Sequence, residues 1–233
     1  MTNALTAQTF KERLAGVQSL IDRAAQKTGR SLKDITLVVV TKGVKLEKIL
    51  EARDAGVTIF GENRVQEATE KMPAVQASEI FWHLIGHLQS NKVKSAIALF
   101  NLIQSVDTVR LADKISREAL AENRVMEVLL QVNISEETQK YGFKPEEIYG
   151  AIDCIAKMPG LRVLGLMGIT ANVSLDNVKR ETFKKLKGIF SACKMLKYES
   201  IQMKYLSMGM SDDYVIAIEE GATMVRIGRA LFK

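Results

Sequence analysis

In the stretch VVVTKGVK, a run of apolar and β-branched residues at 35–41 ends on Lys42. A lysine held in a partly apolar site can present its neutral amine to a carbonyl carbon. Two later stretches supply a second kind of chemistry. SMGMSDD (207–213) and RIGR (226–229) place Ser207, Gly209 and Ser211, and then Gly228, just ahead of helix starts. Backbone N–H groups at a helix start, together with the helix dipole, favour an anion such as phosphate. An amine beside a phosphate cradle suits two ligand classes. One is a phosphorylated sugar in a Schiff-base aldolase; the other is pyridoxal 5′-phosphate, whose aldehyde forms an imine with lysine. Arg226 stands two residues before Gly228 and bears on that choice, because a pyridine nitrogen takes an Asp or an Arg as partner. An arginine cannot accept a proton, so it leaves the ring nitrogen unprotonated and weakens the electron sink. Plainer readings stand beside these: Lys42 reaching for solvent, Gly209 and Gly228 as ordinary turn glycines, and Arg226 as an ion-pair partner of Glu62.

These residues need a scaffold that brings them together. Apolar runs fall at 35–41, 58–60, 80–85, 102–106, 127–134, 161–169, 203–206 and 223–227. Stretches of helical period lie between them, at 46–55, 65–72, 91–100, 108–123, 145–158, 176–197 and 212–220, and 10–26 forms an additional N-terminal helix. Pro145 suits a first helical position, and Ser211 or Asp212 a helix cap. The strands read as continuous apolar runs, the pattern of parallel strands covered on both faces. Strand and helix alternate eight times, which predicts an α/β fold of one (β/α)8 barrel with an extra N-terminal helix, in a single domain over 1–233. A doubly wound open sheet has the same alternation. Nearly every unusual residue follows a strand: Lys42, then Glu62 and Asn63, His83 on the third strand, Ser105, Asn133, Gly168, and the two glycine loops. In a barrel those positions converge on one mouth.

Composition narrows the function classes. The chain has 233 residues, 47% of them hydrophobic and 26% charged, which is ordinary globular usage. No apolar run reaches the roughly 18 residues of a membrane span, and the N-terminus lacks the pattern of a signal peptide. The two cysteines, Cys154 and Cys193, are far apart and read as free thiols of a reducing compartment, which predicts a cytoplasmic protein. The formal charge of +6 is spread along mixed-charge helices with only 6% aromatics, so neither nucleic acid nor membrane is expected as a partner. His83 and His87 are the only histidines, and they straddle a strand end and Gly86. They do not share a face, and no metal is expected there.

The segments TKGV, FGENRVQE, WHLIGHLQSNK, QVNISEETQKYGF, LGLMGIT, LSMGMSDD and MVRIGRALF, in that order, cover nearly the whole chain. Together they resemble the pyridoxal phosphate homeostasis proteins, a family similar to the barrel domain of alanine racemase. The resemblance implies that pyridoxal phosphate is held on Lys42 as an internal aldimine, with Arg226 facing the pyridine nitrogen. It implies phosphate contacts from Ser207, Gly228 and Arg229, the last two through backbone N–H groups. Asn63 and Met208 are implied near the ring, and His83 as a lining residue. Racemases of this fold also use a tyrosine from a second, β-rich domain, for which this chain has no room after Lys233. A monomeric cofactor carrier, serving pyridoxal phosphate-requiring apoenzymes, is therefore expected ahead of a weak single-domain racemase. The first motif departs from the family's usual Ser-Lys followed by a proline: Thr41-Lys42-Gly43-Val44 implies a less rigid loop. Tyr141 also stands where the family commonly has a smaller residue.

Overall fold

The computed structural model describes residues 8–75, 77–135, 141–170 and 175–233. Part of the QVNISEETQKYGF motif, at 136–140, lies outside the described residues. The chain runs α1 (Phe10–Gln26), β1 (Thr36–Val40), α2 (Leu46–Asp54), β2 (Ile59–Glu62), α3 (Val65–Val75), β3 (Phe81–Leu84), α4 (Val93–Leu99), β4 (Leu102–Val106) and α5 (Val109–Ala121). It continues through β5 (Met126–Val132), α6 (Ile148–Ile155), β6 (Leu161–Gly168), α7 (Asp176–Cys193), β7 (Ile201–Ser207), α8 (Tyr214–Glu219), β8 (Met224–Ile227) and α9 (Arg229–Phe232). Each strand pairs in parallel with the next, and β1 closes on β8 from Thr36 opposite Met224 to Val39 opposite Ile227. That closure decides for the (β/α)8 barrel against the open sheet.

The barrel sorts its residues by strand alternation, since successive side chains point to opposite faces. Val39, Ile103, Val225 and Ile227 point outward into the large core shared with the helices. Val38, Leu102, Leu129, Leu164, Met167 and Met224 point inward and form a separate apolar layer inside the barrel. Two residues further along β4 and β8, the same inward face carries Gln104 and Arg226, both buried. The barrel interior is thus apolar at one level and polar at the next level toward the strand C-termini.

The helix α1 starts on a capping box: the Glu12 N–H donates to Thr9 Oγ1, and the Thr9 N–H to Glu12 Oε2. It buries Phe10, Leu14, Val17, Ile21, Ala24 and Ala25, a stripe of helical period. The Arg13 Nε–H donates to the Leu231 carbonyl at 2.6 Å, which ties this helix to α9 and so to the end of β8.

Most element ends shift by a few residues from the sequence reading, α6 starting at Ile148 and α7 ending at Cys193 among them, and two differences are instructive. The third helix continues past Met72 through Pro73 to Val75; a proline forfeits one hydrogen bond near a helix end, and burial of Val75 keeps the last turn in place. The residue at the N-cap of α8 is Asp213, not Ser211 or Asp212. Its carboxylate turns back, accepting the Met210 N–H at 2.6 Å and the Thr170 hydroxyl at 3.0 Å.

Candidate functional site

Lys42 sits two residues past the end of β1, in a tight turn. The Val44 N–H donates to the Thr41 carbonyl at 3.0 Å, and Gly43 adopts φ +65°. That φ is the reason a glycine follows the lysine, since L side chains rarely adopt it. The turn is also held from below. The Thr41 hydroxyl donates to Glu62 Oε1 at 2.7 Å, and Lys71 Nζ reaches Glu62 Oε1 at 2.7 Å and the Thr41 carbonyl at 2.9 Å. Glu67 accepts from the Gly43 N–H at 3.3 Å and from Lys71 at 3.1 Å. The loop that lacks the family's proline is therefore pinned by hydrogen bonds and a buried carboxylate. The Lys42 side chain itself is exposed at the mouth, not sunk in an apolar site.

Glu62 is committed to this cluster, so it does not pair with Arg226 as the plainer reading had it. Arg226 is buried and forms part of a second network. Its Nη1–H donates to Ser207 Oγ at 2.7 Å and its Nη2–H to the Gly168 carbonyl at 3.0 Å. The Ser207 hydroxyl in turn donates to Gln104 Oε1 at 2.7 Å. The Gln104 amide then donates to His83 Nδ1 at 3.0 Å and to Met224 Sδ at 3.2 Å. Each partner's role follows from the arginine, which can only donate. His83 must accept at Nδ1, so the ring is neutral with its proton on Nε2. Burial pushes the His83 pKa down to about 4, in agreement with that state. Burial also lowers Arg226, to about 10, against the raising effect of Asp213, so the guanidinium is still charged at neutral pH.

The loops after β7 and β8 are stitched together. The Arg226 N–H donates to the Gly209 carbonyl at 3.0 Å, and the Ala230 N–H to Ser211 Oγ at 3.4 Å. The Arg229 side chain pairs with Asp212. Gly228 lies against β1 so closely that a Cβ there would stand 2.9 Å from the Val40 carbonyl oxygen.

These pieces border a cavity of ≈ 660 Å³ whose lining includes Lys42, Lys45, Lys48, Asn63, Met210, Ser211, Arg226, Gly228, Arg229 and Lys233. Six of its lining residues are cationic and none carries a carboxylate. Of the residues singled out in the sequence, Lys42, Asn63, Ser211, Arg226, Gly228 and Arg229 come together here. Ser207, Met208, Gly209 and His83 do not line it. Ser207 and His83 lie in the buried relay behind Arg226, and the Ser207 hydroxyl proton is already given to Gln104. Met208 is fully buried, with its N–H donated to the Met224 carbonyl. Gly209 contributes its carbonyl to Arg226. Sequence reasoning missed Gln104 and Lys71. Gln104 was discoverable as a polar residue inside an apolar strand, two positions after the inward-facing Leu102; Lys71 carried no local mark.

Comparison with known proteins gives a consistent picture. Residues 14–233 match the family model of the alanine racemase N-terminal domain. A pyridoxal phosphate homeostasis protein of Aquifex aeolicus is 38% identical over 221 residues, 95% of this chain and 96% of its own length. The chain belongs to the pyridoxal phosphate homeostasis protein family. The family member of Escherichia coli (strain K12) is 39% identical over 222 residues, 94% of each chain. The structure of PipY from Synechococcus elongatus PCC7942 with PLP bound matches with a TM-score of 0.84 at 30% identity, covering 97% of this chain and 100% of that one. Among the described residues, no helix is long and apolar enough to cross a membrane.

Proposed function

We propose that this chain binds pyridoxal 5′-phosphate through Lys42 and serves intracellular pyridoxal phosphate homeostasis as a monomeric cytoplasmic holder of the cofactor, without substantial turnover. The observation that carries the proposal is the cavity itself: a lysine amine, a buried arginine and two stitched glycine loops border one space whose charged side chains are all cations. Its ≈ 660 Å³ lies within the usual range of small-molecule sites, roughly 300–1,000 Å³. The close approach of Gly228 to Val40 leaves backbone where a side chain would otherwise stand. Both features suit a flat ring bearing a dianionic phosphate.

In this reading Lys42 supplies the amine that takes the cofactor's aldehyde, and Arg226 meets the pyridine nitrogen. Ser211 and the backbone at Gly228 and Arg229 hold the phosphate, while Asn63 lines the ring's edge. The bound cofactor would supply an electrophilic carbon and a ring able to withdraw electrons. Arg226 limits the second of these, because a guanidinium held by Ser207 and Gly168 has no proton acceptor to offer the ring nitrogen. That favours keeping the cofactor over catalysing with it. Ser207 and His83 act one step back, by fixing Arg226. The recipients are apoenzymes that require the cofactor.

A visible absorption titration tests the proposal. Added pyridoxal phosphate should produce an imine band in the native protein and none in Lys42→Ala; a band that survives the substitution sinks the assignment. Exchange of amino-acid α-protons in deuterated water separates holder from racemase-type enzyme, sustained turnover favouring the enzyme. Size-exclusion chromatography with light scattering checks the monomer.

A further inference from the structure

A second cavity, of ≈ 590 Å³, adjoins the first and shares Lys42 and Asn63 with it. Its chemistry differs. The first cavity has no carboxylate, whereas the second is lined by Glu67 and Glu70 as well as by Arg64 and Lys92. It is also lined by His87, a residue that the cofactor reading leaves without a role.

The His87 ring is held on two sides. Its Nδ1 lies 2.9 Å from Oδ2 of Asp107, whose side chain is only 6% exposed. Its face stacks on Tyr141, with ring centroids 3.7 Å apart and planes within 11°. A carboxylate on Nδ1 fixes the proton there and leaves the Nε2 lone pair as the ring's remaining polar function. Among the described residues, nothing donates to that nitrogen. A histidine that lines a cavity and is oriented by a buried carboxylate on one nitrogen can accept a proton on the other. Tyr141, the bulky departure from the family's pattern, is the residue that clamps the ring.

The geometry points to a docking place for a primary amine in this second cavity, with His87 as the group that removes its proton before it meets Lys42. The inference rests on the cofactor reading above, and it names what reaches Lys42 from the other side. An amine arrives as a cation. Glu70 attracts it, with Glu67 already paired to Lys71, while Lys42, Arg64 and Lys92 restrict it to the part of the cavity nearer the carboxylates. The step is a proton transfer: the N–H bond of the ammonium breaks, Nε2–H forms, and the positive charge passes to the imidazole ring, where Asp107 faces it. The nitrogen lone pair so released is what an amine needs in order to displace Lys42 from an aldehyde carbon. The two cavities thus meet at one lysine, the first without a side-chain carboxylate and the second carrying Glu67 and Glu70 beside its own cations.

Two measurements test this. The first uses protein without cofactor: with only two histidines in the chain, the ring signals of His83 and His87 separate readily by NMR, with His87→Gln assigning them. Propylammonium chloride should move the His87 signal beyond what sodium chloride does; an unmoved signal overturns the docking place. The second uses loaded protein and the loss of its visible band to added amines. His87→Gln should slow release to propylamine roughly a hundredfold, the lower end for a general base. It should leave release to methoxyamine, already unprotonated at neutral pH, within about twofold. Asp107→Asn should show the same selectivity in weaker form. Equal slowing with both amines, or none with either, overturns the role of His87. Absence of a visible band in the native protein would instead refute the cofactor reading, and the NMR result on the unloaded protein would still decide the docking place.

Discussion

Replacing Lys71 with methionine should be among the most damaging changes available near the mouth, although Lys71 does not line the first cavity. Glu62 is fully buried, and Lys71 is its cationic partner at 2.7 Å, with 14% of the lysine side chain exposed. Removing the lysine leaves the carboxylate with the Thr41 hydroxyl and the Asn63 N–H. Stranding a buried charge in this way costs roughly 3–5 kcal/mol, and the partial exposure of Lys71 points to the lower end. About 3 kcal/mol corresponds to a fall of roughly 6–12 °C in Tm for a chain of this size. The pair Arg117–Asp113 is a suitable control, with side chains 72% and 48% exposed; Arg117→Ala should cost no more than about 0.5 kcal/mol. Urea denaturation measures both. Glu62→Gln combined with Lys71→Met should recover a good part of the loss, since two neutral groups leave no stranded charge. The reasoning is refuted if Lys71→Met costs no more than the control, or if the double substitution is as damaging as the two singles together. The Lys71 network also carries the turn at Thr41–Val44, so Lys71→Met should weaken pyridoxal phosphate binding measured by absorbance.

Three further outcomes follow from the site. His83 is neutral in the folded protein, with its pKa lowered by burial to about 4 from the ordinary 6.5. Below about pH 6.5 the unfolded chain therefore binds the extra proton, and stability falls as pH drops toward 4, by about 3 kcal/mol in all. His83→Asn should remove that component from urea denaturation measured between pH 7 and 4; an unchanged pH slope would contradict it. Gln104→Leu strands the Ser207 hydroxyl and His83 Nδ1, at a cost of at least about 2 kcal/mol, and should weaken cofactor affinity through the loosened Arg226, both read by titration of the variant. Gly228→Ala puts a methyl 2.9 Å from the Val40 oxygen; the overpacking should cost about 1–3 kcal/mol and reduce pyridoxal phosphate affinity at least tenfold, as measured by absorbance.

Much of the architecture was legible in the chain. Alternating apolar runs and helical periods specify local conformation, and local conformation repeated eight times leaves few ways to cover both faces of every strand. Lys42 and Arg226 were visible for a similar reason: a charged residue at or near the end of an apolar strand is costly unless something uses it. Ser207 and His83 stood out by type, yet their place behind the cavity did not. Strand alternation tells which face a residue is on, and not how far along the barrel axis it lies relative to residues of other strands. That level is set by the stagger of eight strands around the closed barrel.

The sequence by itself determined the alternation of parallel strands and helices, the amine at Lys42 and the glycine loops near the C-terminus, because these depend on periodicity and on backbone geometry within a few residues; closure of the strands into a barrel was decided by the tertiary structure. Only the tertiary structure decided who pairs with whom. Glu62 takes Lys71 and not Arg226; Arg226 takes Ser207, and through it Gln104 and His83. His87 finds Asp107 and Tyr141 across 20 and 54 positions of sequence. Such pairings follow from distances across the barrel of a few ångströms, and hydrogen bonds and charges act over those distances whatever the separation along the chain.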